Sequence, residues 1–135
     1  MNTVQAITET ERKALLKEYR QLLTALKPQM LKADRKLIRR AFELAVDAHK
    51  DTRRKSGEPY IFHPLAVAQI VADEIGLGPL AVVCALLHDV VEDTEITLDD
   101  IEKEFGKHAA EIINGLTKIS VLLDAQGYLQ AEYIR

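Results

Sequence analysis

LAVVCALLHDVVEDT, residues Leu80 to Thr94, runs eight apolar residues straight into His88-Asp89 and, after two valines, into Glu92-Asp93. An apolar run of this kind belongs in a core, where an unpaired charge is expensive. Four ionisable side chains at its end therefore need a physical reason. On a helix, His88 and Glu92 are four apart, as are Asp89 and Asp93, so each pair stacks on one face. A metal ion with an adjacent acid/base pair accounts for all four at once. A His-Asp pair alone is weaker, because adjacent helical residues point about 100° apart and a core or capping histidine explains many such pairs.

The surrounding chain sets the scale. Its 135 residues suit one domain with a real core, and 47% apolar with 29% charged residues is ordinary for a globular protein. Trp is absent and aromatics make up 5%, so Leu, Ile, Val and Ala must supply the packing. A net charge of −3 gives no global attraction to a nucleic-acid duplex or an anionic membrane. Cys84, the single cysteine, sits inside the apolar run and reads as a small buried hydrophobe in a reducing compartment. The polar N-terminus is no secretory signal and no apolar run approaches a span, so the expected location is cytoplasmic, with no membrane partner.

Outward from the central stretch, every segment reads as helix. Thr8 with Glu11 forms a capping box ahead of Leu15, Leu16, Tyr19, Leu22, Leu23 and Leu26, and Pro28 ends that helix. Asp34 is a candidate cap for the next, which carries Leu37, Ile38, Ala41, Phe42, Ala45 and Ala48 at helical spacing. Lys50 to His63 breaks the pattern around Ser56-Gly57-Glu58-Pro59, which is turn chemistry. Pro64 suits the first turn of a further helix, closed by Gly76 and Gly78. Pro79 opens the central helix, which should end near Glu92. Thr97 with Asp100 marks another start and Gly106 a stop. Ala109 to Ile119 form a further apolar-faced helix, interrupted only by Gly115, and a last one begins around Tyr128. The expected fold is all-α.

Two further features bear on chemistry. His63 stands at a loop-to-helix junction, where its side chain can point at a neighbouring helix; two imidazoles plus a carboxylate suit manganese, iron or zinc. Glu92 and Asp93 are then one turn from the ligands, placed to hold or deprotonate an attacking water. The structural alternative is that this acidic pair simply ends the helix. Lys50, Arg53, Arg54 and Lys55 form a basic loop just before His63, suited to phosphate oxygens, although such runs are often plain solvated surface. A basic loop on a net-acidic chain points to a phosphorylated small molecule rather than a duplex. His49 could be core or could approach the site, and His108 reads as exposed.

RKSGEPYIFHP (Arg54 to Pro64), LLHDVVEDT (Leu86 to Thr94), ITLDDIEKEFG (Ile96 to Gly106) and GLTKIS (Gly115 to Ser120) occur in this order. Together they resemble the N-terminal hydrolase domain of the RelA/SpoT homologues, which make and degrade the alarmone (p)ppGpp. The resemblance covers roughly Leu37 to Ser120. It implies an HD-type metal-dependent phosphohydrolase fold, all-helical, with His63, His88 and Asp89 as ligands to Mn²⁺. It further implies Glu92 and Asp93 as the acidic pair that works on water, and Arg54, Lys55 and Ser56, with Arg53, beside the nucleotide. The implied reaction removes the 3′-pyrophosphate of (p)ppGpp, giving GDP or GTP, in a bifunctional synthetase/hydrolase of the GTP pyrophosphokinase family.

The family's fourth ligand is an aspartate in a LADRLHN-like motif beyond the GLTKIS-like stretch, and Asp124, which comes too early and in a loop-like context, is not expected to replace it. Residues 1–135 are therefore expected to be the leading part of one HD-type domain, with a leading helix over 1–30, motif-bearing helices over 31–120, and the start of a truncated helical region over 121–135. Its C-terminal helices and the fourth ligand would lie beyond Arg135, leaving this stretch alone impaired in activity. Truncation would uncover positions such as Ile112, Leu116 and Ile119, a surface suited to self-association. Two alternatives stand beside this expectation. One is an HD phosphohydrolase for another nucleotide, against which the Arg54–Gly57 loop argues; the other is a non-catalytic regulatory or interaction module.

Overall fold

The periodic apolar positions do form helices. The computed structural model describes residues 6–75 and 78–125. In order these are α1 (Glu9–Leu26), a 3₁₀ turn (Lys27–Gln29), α2 (Lys32–Ala48), α3 (Phe62–Ile70) continuing into a π turn (Val71–Ile75), α4 (Pro79–Asp93), α5 (Leu98–Phe105) and α6 (Lys107–Ala125). Among the described residues there is no strand, only an isolated bridge between Arg53 and Pro59. The all-α expectation holds. Among them, too, no helix is long and apolar enough to cross a membrane.

The helix starts follow the caps read from sequence, with one shift. Thr8 N donates to Glu11 Oε1 at 2.9 Å, and Glu11 N to Thr8 Oγ1 at 3.1 Å. Thr97 and Asp100 repeat the arrangement at 3.0 and 3.2 Å. Each box satisfies two orphan donors, and loss of such a cap costs about 1 kcal/mol. Asp34 was expected to precede α2 but lies within its first turn, where Oδ2 accepts from Leu31 N at 3.0 Å. Its carboxylate reaches back to the cap instead of forming it. Gly115 does not interrupt α6, which runs on to Ala125, so Asp124 falls in a helix rather than the loop expected for it. Gly76 as a helix stop, and the last helix near Tyr128, lie outside the described residues.

The contacts group the chain into two units, Met1–Thr94 and Glu95–Arg135. In the first, α4 packs on α2 and α3, and α1 on α3. Leu22, Leu26, Ile38, Ala41, Ala45, Ile61, Leu65 and Ala68 are buried, as are Val82, Leu86, Leu87 and Val90 of α4. Burying a side chain such as Leu86 is worth roughly 1.5–3 kcal/mol, so the hydrophobic run fixes α4 in place. Tyr19 of α1 stacks on Phe42 of α2 with ring centroids 4.1 Å apart. Cys84 is buried, and burial pushes its thiol up to about 11, which leaves it inert as a nucleophile at neutral pH. In the second unit α5 packs on α6, with Ile101, Phe105, Ala109 and Ile113 buried. Gly106 joins the two helices at φ +101°, a conformation that favours glycine. Leu116 is 41% exposed, Ile112 is half-buried, and the side chain of Ile119 lies outside the described set.

Candidate metal centre

Three ligand-type side chains converge at the C-terminal end of α4. Atoms of His88, Asp89 and Glu92 lie within 4.8 Å of one another. His88 Nδ1 is 3.3 Å from Asp89 Oδ1, and His88 Nε2 is 3.7 Å from Glu92 Oε2. The i,i+4 stacking of His88 and Glu92 read from sequence is therefore present. Asp93 is exposed one residue further on. The last turn of α4 carries no basic residue, so two carboxylates face the negative end of the helix dipole. A cation there would supply the missing complement.

The donor set fits a metal on a second ground. His88 Nε2 is buried and has no hydrogen-bond partner, a costly state for an imidazole nitrogen unless something binds it. With Nδ1 turned to Asp89, Nε2 is the natural ligand atom. The hydrogen bond to Asp89 raises the His88 pKa against the opposing effect of burial, helped by the charges of Asp89, Glu92 and Asp93. For Asp89 burial acts upward, but hydrogen bonds from His88 and Tyr60 and the charges of His88 and His63 outweigh it, so its carboxyl stays ionised.

Two residues that sequence reasoning passed over or left open complete the surroundings. Tyr60 Oη donates to Asp89 Oδ2 at 2.8 Å, and its ring lies 4.7 Å from that of His49 and 5.7 Å from that of His63. Burial, then the hydrogen bond to Asp89, push the phenol pKa up, so Tyr60 stays a donor. Its place three residues before His63, in the turn leading into α3, was the available signal. His49 is 2% exposed, lies within the fields of Asp89 and Asp93, and is pushed toward its neutral form by burial. It approaches the site, one of the two alternatives its sequence position left open.

The remaining expected residues divide. His63 stands outside the 4.8 Å cluster; Arg54 Nη1 is 3.1 Å from its Nδ1. Arginine only donates, so Nδ1 accepts and a neutral His63 carries its proton on Nε2. Arg54 must release that nitrogen before His63 can ligate, whether Nδ1 binds the ion itself or takes the ring proton so that Nε2 can. Ser56 Oγ donates to Glu58 Oε1 at 2.7 Å, and Lys55 is exposed. Arg53 is not directed outward: its guanidinium meets the Glu11 carboxylate and two backbone carbonyls. His108 is exposed, as expected.

Residues 41–132 match the HD-domain family model. The chain belongs to the HD-domain family. This HD domain is 49% identical over 87 residues to the bifunctional (p)ppGpp synthase/hydrolase SpoT of Escherichia coli K12, an alignment covering 64% of the chain and 12% of that protein. It is 46% identical over 82 residues to guanosine-3′,5′-bis(diphosphate) 3′-pyrophosphohydrolase of Aquifex aeolicus, covering 61% of the chain and 12% of that protein. A probable GTP pyrophosphokinase of Mycobacterium leprae is 48% identical over 88 residues, covering 65% of the chain and 11% of the relative. The HD domain thus spans 11–12% of the length of these curated relatives. They bear out the RelA/SpoT resemblance drawn from the motifs.

Proposed function

We propose that this HD domain binds (p)ppGpp and hydrolyses its 3′-pyrophosphate ester, leaving GDP or GTP and releasing pyrophosphate, and that its metal is Mn²⁺. The observation that carries the reading is the buried, unpartnered His88 Nε2 beside Glu92, on the helix whose Asp89 is held by Tyr60. Identity of 46–49% to proteins named as (p)ppGpp hydrolases supports the substrate class. His63, His88 and Asp89 are the proposed ligands. A bound divalent ion supplies Lewis-acid stabilisation of phosphoryl oxygens and a more acidic water.

The chain's own side chains would do the rest. Tyr60 keeps Asp89 Oδ2 occupied and its carboxylate oriented. Glu92 and Asp93, on the rim of the site, accept the proton of the attacking water. Arg54 and Lys55 offset phosphate charge, and Arg54 exchanges His63 for a phosphate oxygen as substrate arrives. Residues 1–135 act as the leading part of one HD-type domain in a reducing, cytoplasmic setting, in keeping with the buried Cys84 thiol. Self-association would use α6 around the exposed Leu116.

Pyrophosphate release from ppGpp with Mn²⁺, measured in the full-length protein for the wild type and Asp89→Asn, tests the reading. Loss of release in the variant supports it. A protein that binds Mn²⁺ but cleaves dGTP or a cyclic nucleotide in preference to ppGpp would refute the substrate assignment.

A further inference from the structure

Arg53 links two parts of the chain that lie 42 residues apart. Its Nη1 donates to Glu11 Oε2 at 2.8 Å and its Nη2 to Glu11 Oε1 at 2.8 Å, the two-pronged geometry that makes arginine–carboxylate pairs specific. Nη1 also donates to Gly57 O at 2.8 Å and Nη2 to Ala6 O at 3.0 Å. The side chain is only 15% exposed. On one side of this guanidinium is the start of α1, whose capping box uses the same Glu11 carboxylate. On the other is the turn bearing Arg54, Lys55 and Ser56.

At its base this turn is closed by the Arg53–Pro59 bridge, the buried Pro59 and the bond from Tyr60 N to Thr52 O at 2.8 Å, and Ser56 Oγ donates to Glu58 Oε1 at 2.7 Å. Arg54 N donates to Glu58 O at 2.9 Å and Gly57 N to Arg54 O at 2.8 Å, closing a tight loop with Gly57 at φ +105°. Residues 54–58 are exposed, with no buried side chain among them. The bond from Arg53 to Gly57 O therefore ties the apex of the loop to the first turn of α1.

We propose that Arg53 and Glu11 form a clamp by which the start of α1 sets the position of the phosphate-binding loop; Arg53 is a positioning residue and touches no substrate. This rests on the reading of Arg54–Ser56 as the nucleotide loop. The clamp explains why an arginine beside three expected substrate contacts turns away from them, and it makes α1 part of the binding apparatus without lining the site.

The test uses the full-length protein with Mn²⁺ and ppGpp. Glu11→Gln keeps the capping box, since glutamine also serves at that position, but removes the ion pair. It is expected to speed amide exchange at Arg54 and Gly57 about tenfold and to weaken ppGpp binding three- to tenfold. Mn²⁺ affinity and kcat should stay within about twofold. Arg53→Ala, which also deletes the bonds to Gly57 O and Ala6 O, should weaken ppGpp binding at least as much, and the double variant should be no worse than Arg53→Ala alone, because the Glu11 link is already gone. Lys55→Ala serves as the control for the loop reading. If Lys55→Ala leaves ppGpp affinity unchanged, the loop is not the nucleotide site and the functional part of the proposal falls with that reading. If Lys55→Ala weakens binding but Glu11→Gln does not, the clamp itself is refuted. If Arg53→Ala abolishes binding that Glu11→Gln leaves intact, Arg53 contacts the nucleotide directly and the positioning role is overturned.

Discussion

Tyr60→Phe isolates one hydrogen bond at the metal centre. Phenylalanine retains the ring between His49 and His63, at centroid distances of 4.7 and 5.7 Å, and deletes only the O–H that reaches Asp89 Oδ2 at 2.8 Å. Hydrogen bonds to a charged partner contribute about 1.5–3 kcal/mol. Groups that orient a metal ligand typically account for about 10–100-fold in affinity, or roughly 1.4–2.8 kcal/mol. The Asp89 side chain is 19% exposed, so water can replace part of what the phenol supplied. The expected loss is therefore nearer tenfold in Mn²⁺ affinity, with the metal-free protein destabilised by about 1 kcal/mol, a fall of a few degrees in melting temperature. Calorimetric titration with Mn²⁺ at fixed pH reads the first, and circular-dichroism melting the second. Affinity within twofold of wild type would refute the orienting role. Tighter binding would show the opposite arrangement, in which Tyr60 competes with the ion for Oδ2.

The other predictions use different parts of the molecule. Asp89→Asn should abolish Mn²⁺ binding by calorimetry, because it removes the charge of a proposed ligand while keeping its shape. Arg54→Ala should act with opposite signs on two ligands, tightening Mn²⁺ by freeing His63 Nδ1 and weakening ppGpp, and parallel titrations with each would read both. The Glu11 carboxyl is held at about 2, below its ordinary 4.5, chiefly by the hydrogen bond from Arg53 and then by that from Thr8 N. A depressed carboxylate gives stability that is full above the unfolded value and is lost as pH falls toward the folded one. The melting-temperature gap between wild type and Glu11→Gln should therefore be constant above pH 5 and close between about pH 4.5 and 2. Leu86→Ala, at a fully buried position of α4, should cost about 2–5 kcal/mol in denaturant unfolding.

Much of this arrangement was legible in the sequence because it is local. Capping boxes act over three residues, and both Thr8–Glu11 and Thr97–Asp100 formed as expected. The apolar run before His88 set α4 at the core, and helical spacing alone brings Glu92 under His88. Asp34 misled because a carboxylate suits both halves of a capping box: at the cap it accepts from the N–H three residues on, and at the third helical position it accepts from the cap's own N–H, as Asp34 does from Leu31. What resisted reading depends on long-range geometry. Tyr60 meets Asp89 from 29 positions away, and Arg53 finds Glu11 across 42. No periodicity marks either partner. In the sequence Arg53 is simply one more cation in a basic run, and only the fold separates the arginine that holds the loop from the one beside His63.

The burial of α4 on its Leu86, Leu87 and Val90 side has a mechanical consequence. His88 and Asp89 cannot shift or tilt unless those side chains leave a filled core, so this half of the centre behaves as a fixed anvil. Facing it, residues 54–58 form an exposed turn between Arg53 and the buried Pro59 and Ile61. Adaptation to a bulkier or differently phosphorylated nucleotide is therefore open to changes in the five exposed residues of that turn, while the helix that presents the chemistry keeps its shape and its stability.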